Sequence, residues 1–123
     1  MSVNVEALVV QFLMARPAIV AAELFVSMDA PAETKSLAGW VTVERAGGGV
    51  SEIVVDHPMV AVQVWGHDRW QVSEHARLVA DELKKMILLP EVGACSINAG
   101  PYNFPTASNE PRYQIVLDLV TVG

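Results

Sequence analysis

The chain has 123 residues, of which 52% are apolar and 18% charged, with fourteen Asp and Glu against eight Lys and Arg. This length supports one domain, with roughly 6,500 Å² of folded surface against roughly 19,000 Å² unfolded, and so one real core. The apolar content excludes a disordered chain, and the net charge of −6 argues against nucleic-acid binding, which relies on clustered basic residues.

The basic residues are scattered, and Lys84-Lys85 is the only adjacent pair. An acidic surface is still suited to lining a passage along which DNA slides without sticking. Few charges remain to cover the outside, so part of the apolar surface is expected to be buried against other subunits. Cys95 is the only cysteine, which fits a reducing cytoplasm and leaves no intramolecular disulfide. The N-terminus lacks the basic start of a signal peptide, and no apolar run approaches the ~18–20 residues that span a bilayer. A soluble protein made in the cytoplasm is expected, with no membrane partner.

Val5, Leu8, Val9, Phe12 and Leu13 recur at helical spacing, so a first helix is expected over about residues 4–15, capped by Asn4 or Ser2 and stopped by Pro17. Glu23–Met28 reads as a strand, and residues 29–36 as a polar loop. Trp40–Arg45 alternates apolar and polar residues as a half-buried strand does, and Gly47-Gly48-Gly49 reads as a flexible hairpin tip that breaks it. Val50–Val55 returns as a short strand ending at Asp56-His57-Pro58. Met59–Trp65 is almost wholly apolar and reads as a central strand covered on both faces.

Asp68 with Gln71 resembles a capping box, and a long helix follows to Leu89, closed by Pro90. Its buried stripe is Val72, Ala76, Val79, Leu83, Met86 and Ile87. Val92–Gly100 is a weaker strand, Tyr102–Pro111 a loop, and Arg112–Val122 a long last strand. In that strand Tyr113, Ile115, Leu117 and Leu119 share one face, with Gln114, Val116, Asp118 and Val120 opposite. The fold class is therefore α+β: one mixed, mainly antiparallel sheet with two helices packed on it, in the order α-β-β-β-α-β-β.

Catalytic and binding motifs are absent. No P-loop or Rossmann glycine pattern occurs, and no helix follows Gly47–Gly49 to aim amides at a phosphate. His57, His67, His75 and Cys95 lack chelating spacing. Ser73, Glu74 and His75 point in different directions from one helical turn, and nothing local activates Cys95. No catalytic residue, metal or cofactor is assigned. Trp40 and Trp65 are expected to serve the core, and Trp70, at a helix start, to contact another chain.

Trp40-Val-Thr-Val-Glu-Arg-Ala-Gly-Gly-Gly49, then Asp56-His-Pro-Met-Val-Ala-Val-Gln-Val-Trp-Gly66, then a helix carrying Glu74-His-Ala-Arg-Leu-Val-Ala80, and Gly100-Pro101 and Pro111-Arg-Tyr113 before a final strand, resemble the tail-terminator proteins of long, flexible-tailed bacteriophages. The resemblance runs over nearly the whole chain. It implies a virion protein, a homo-hexameric ring at the head-proximal end of the tail. Such a ring stops polymerisation of the major tail tube protein and joins the tube to a head connector or neck protein. The family has no catalytic residues. Independently of it, a ring needs a heterologous interface that closes, and sheet edges and the loops at 29–38, 46–57 and 102–111 can supply one. Arg45, Asp56, Arg69, Trp70 and Arg112 are the candidate subunit or partner contacts. The alternatives are a small-molecule-binding or enzymatic α+β domain with a polar-lined pocket, and an adaptor that binds peptide by strand addition.

Overall fold

The computed structural model describes residues 3–50 and 55–122. Helix α1 (Val5–Met14) starts where the Asn4 side chain accepts a hydrogen bond from the Ala7 amide. Ser2, the other candidate cap, lies outside the described residues. Pro17 does end α1, but it also opens a second helix, α2 (Pro17–Ala21), that the sequence reading missed. Proline suits the first position of a helix because its φ is already helical and its missing N–H would have no partner there.

The strands are β1 (Leu24–Ser27), β2 (Gly39–Val50), β3 (Val55–Trp65), β4 (Val92–Asn103) and β5 (Arg112–Val122). They form one sheet in the order β1-β2-β3-β5-β4, with β1 parallel to β2 and every other pair antiparallel. Helix α3 (Arg69–Leu83) joins β3 to β4 through a tight 3-10 segment, Lys84–Leu88. The α+β class, the mixed sheet and the order of the main elements are those expected; the short α2 is additional.

Several boundaries differ for identifiable reasons. The glycine run does not end β2. The strand bulges between Arg45 and Gly47 and continues, pairing Gly47, Gly48 and Gly49 with Met59, Pro58 and His57. Gly48 has φ +94°, and a Cβ there would overlap the His57 carbonyl oxygen, so only glycine lets the strand pass. The expected short strand over 50–55 is instead the end of β2 and the start of β3, with 51–54 outside the described residues. Of the reaching loop expected at 46–57, the described residues 46–50 and 55–57 are therefore strand. β4 likewise runs through Gly100-Pro101, joined by a cis peptide bond, to Asn103.

Ile87 leaves the buried stripe and is 47% exposed, while Met86 is fully buried. The 3-10 segment turns three residues per turn instead of 3.6, which rotates Ile87 off the face that α3 buries. A Cβ at Gly39 would press on Leu24, the Trp65 carbonyl and the His75 ring, and one at Gly66 on Val72, so glycine lets α3 sit close at both ends of this corner.

All three helices cover one face of the sheet. Val41 and Val43 of β2, Val60, Val62 and Val64 of β3, and Ile115, Leu117 and Leu119 of β5 meet Val9, Leu13, Ile19, Val72, Ala76, Val79 and Leu83 from the helices. The face of β5 carrying Ile115, Leu117 and Leu119 is the one read from its alternation. Met59–Trp65 is indeed in the middle of the sheet, but it is covered on one face only. Its other face, Met59, Ala61, Gln63 and Trp65, meets no helix and is mostly half-buried.

Leu83 is completely buried at the end of α3, so Leu83→Ala leaves a cavity as well as losing apolar contact. The expected loss is about 3 kcal/mol, seen as a lower urea midpoint at an unchanged slope.

Candidate interaction surface

Because side chains alternate along a strand, each cross-strand row of the uncovered face follows from the register. The first row is aromatic. Phe25 pairs with Trp40, Trp40 with Trp65, and Trp65 with Arg112. The Trp40 and Trp65 rings stack at 6.3 Å, and His67 meets Trp40 edge-on at 5.6 Å. The Arg112 guanidinium lies 4.9 Å from the Trp65 ring and 4.6 Å from Phe104, and its Nε donates to the Phe104 carbonyl at 2.7 Å. The Phe104 ring in turn meets Tyr102 edge-on.

The second row is polar and closed on itself. Trp65 Nε1 donates to the Thr42 hydroxyl at 3.1 Å, Gln63 Nε2 to Gln114 Oε1 at 2.9 Å, and Gln114 Nε2 to the Tyr102 hydroxyl. Further along, Asn98 Nδ2 donates to Asp118 Oδ2 at 2.8 Å. The amides on this face satisfy one another, and Arg112 spends its charge on two rings. Covering such a surface with another protein strands few polar groups, which is the usual cost of burial.

The five contact candidates separate into two groups. Arg45 and Asp56 come together within the chain. Arg45 Nη1 and Nη2 donate to the two Asp56 oxygens at 2.7 and 2.9 Å, Arg45 Nε donates to the Gly47 carbonyl, and its backbone amide donates to Glu6 Oε2. Asp56 is buried, and this bidentate pair closes the polar end of the helix-side core under the start of α1. Arg69, Trp70 and Arg112 reach the outside. Trp70 is 71% exposed at the start of α3. Its neighbour Arg69 is a cation where the helix dipole favours anions, so the helix gains nothing from that charge. Trp40 is buried and Trp65 half-buried, but both lie on the face away from the helices and outside the helix-side core they were expected to serve.

A second buried carboxylate had no sequence signal. Glu82 of α3 accepts from Lys85 Nζ at 2.7 Å and Arg16 Nε at 2.8 Å, tying the α1–α2 junction to the end of α3. Its charged neighbours lie three residues on, in the 3-10 segment, and 66 residues away, and only the fold shows the distant one.

Among the described residues no three His, Cys, Asp or Glu side chains are placed to hold a metal, and no helix is long and apolar enough to cross a membrane. The clefts are small. One, of about 330 Å³, is lined by His57, Pro58, Met59, Cys95, Ser96 and Asp118. Burial pushes the Cys95 thiol up, and its Sγ donates to the Leu83 carbonyl, so it is held as a thiol and not as a nucleophilic thiolate. Another, of about 370 Å³, lies between α1 and Leu89 and has a largely apolar wall. No family model matches the sequence, and no curated protein matches it.

The titrating groups give a stability profile with a definite sign. Hydrogen bonding to Arg45 holds the Asp56 carboxyl below its usual range, and Lys85 and then Arg16 do the same for Glu82. Burial lowers His75, whose Nδ1 has no hydrogen-bond partner. Each group has a folded pKa below its unfolded one, so each contributes stability that is complete above the unfolded value and lost as pH falls. Urea midpoints are expected to hold from pH 8 to 7, decline below about pH 6.5 as His75 takes up a proton, and fall steeply below about pH 4. His75→Gln should remove the first decline and leave the second.

Proposed function

We propose that this chain is a structural subunit that assembles with its own copies into a ring, a hexamer, which caps the head-proximal end of a long-tailed phage tail. In this reading the ring stops growth of the major tail tube protein and offers its other side to the head connector or neck protein. The subunit needs no metal or cofactor and performs no catalysis.

The observation that carries self-assembly is the uncovered sheet face. Its polar groups are already paired with each other, and its aromatic row, buried at Trp40, ends in the exposed side chains of Phe25, Tyr102 and Phe104. Beyond that face the chain also leaves Trp70, Leu88, Val20 and Met14 more than half exposed. The folded surface of 6635 Å² is close to the roughly 6,500 Å² normal for a compact domain of this mass. The exposed apolar groups therefore belong to an ordinary compact surface and not to an extended arm. The placing of the ring on a phage tail rests on the resemblance of the strand-turn-helix segments from Trp40 to Tyr113.

Light scattering with electron microscopy tests this reading. The expected species is a ring of roughly six 13.3-kDa protomers, or a smaller form that collects at one end of tail tubes. A strict monomer with no affinity for tubes contradicts it. Trp70→Ala is expected to leave folding stability within about 0.5 kcal/mol, because the side chain is exposed, while weakening assembly or tube capping at least about tenfold.

A further inference from the structure

No described strand pairs with the outer side of β1 or of β4. β1 reads Leu24-Phe-Val-Ser27, and β4 reads Val92-Gly-Ala-Cys-Ser-Ile-Asn-Ala-Gly-Pro-Tyr-Asn103. Neither contains a Lys, Arg, Asp or Glu, in a chain that is 18% charged. Monomeric proteins guard their edge strands with charge, above all with lysine, because bare amides and carbonyls template pairing with another chain. The inner strands carry Glu44, Arg45, Asp56, Arg112 and Asp118, whereas the two edge strands themselves are uncharged. β4 is interrupted by register shifts at Ile97/Ala99 and Ala99/Tyr102 and by Pro101, with Arg77 and Asp81 of α3 and the following Lys84 beside it.

The two edges also match each other. The aromatic row of the uncovered face reaches both ends of the sheet. At the β1 end is Phe25, exposed by 44%; at the β4 end are Tyr102 and Phe104, exposed by 37% and 40%. The strand directions are complementary too. β1 and β2 run one way, β3 the other, β5 with β2, and β4 with β3, so β1 and β4 are antiparallel to each other across the sheet. Two copies placed side by side with the same face outward therefore bring β4 of one antiparallel to β1 of the next. Such a contact is heterologous, uses different patches on the two copies, and repeats until it closes.

We infer that the subunit contact is edge to edge: β1 of one copy lies antiparallel along the C-terminal half of β4 of the next, with Phe25 against Tyr102 and Phe104. This rests on the ring reading and specifies its interface. The aromatic row of one protomer then runs into that of its neighbour, Tyr102 and Phe104 meeting the next Phe25. A two-fold pairing of β4 with β4 is the competing arrangement, and it leaves the Phe25 edge bare.

Cysteine cross-linking in a Cys95→Ala background decides between them. Phe25→Cys and Tyr102→Cys are made as separate proteins, and oxidation is expected to link them only when the two are mixed. The double variant should give a ladder of covalent species ending at the size of the ring. Tyr102→Cys linking to itself overturns the arrangement in favour of the two-fold one. Absence of any link, while the unmodified protein still assembles, overturns the edge contact and leaves the ring reading standing. Absence of assembly by the unmodified protein, alone and with tail tubes, overturns both. As a check independent of thiols, Phe25→Lys should weaken assembly at least about tenfold with an unchanged melting temperature; unchanged assembly contradicts the contact.

Discussion

The organising constraint is that a five-stranded sheet receives helices on one face only. Leu13, Ile19, Val79 and Leu83 complete a core with Val41, Val62, Val64, Ile115 and Leu117 on that side. No further helix among the described residues covers the other side. A face carrying Trp40, Trp65, Arg112 and a paired glutamine ladder is left open, and so are both sheet edges. Every functional statement about this protein depends on what covers that face and those edges.

Three ionic contacts fix the geometry within each layer, and one hydrogen bond from the sheet to α1 joins the layers. Arg45 and Asp56 pair across β2 and β3 where the bulge falls, and Glu6 of α1 takes the Arg45 amide. Glu82 gathers Arg16 and Lys85 at the opposite side of the layer. Removing one partner of such a pair leaves a charge uncompensated in a poorly solvated place, so these contacts specify geometry more than they add net stability. Because they use up Arg45 and Asp56 internally, the outward chemistry falls to Arg112, Arg69 and exposed apolar side chains.

Much of the architecture was legible in the residues. The 3.6-residue stripe of α1, the cap at Asp68 and the two-residue alternation of β5 are local signals, and each matched the fold. Local signals also misled. Pro17 and Gly47–Gly49 read as stops because their usual role is to interrupt; here one starts a helix and the others carry a strand through a bulge. Strand-adjacent charge made Arg45 and Asp56 look like outward contacts, since nothing in the sequence states that residues 11 apart face each other across a bulge. The aromatic row was not legible at all. Phe25, Trp40, Trp65, Phe104 and Arg112 are dispersed over the chain and become neighbours only through strand order and register.

Backbone hydrogen exchange at rising protein concentration tests most directly whether the bare edges are contact surfaces between copies. Exchange over Leu24–Ser27 and Val92–Asn103 is predicted to slow as assemblies form, while α3 amides keep their rates. Identical exchange in these two strands across all concentrations, with the edges still open to water in the assembled form, contradicts the account.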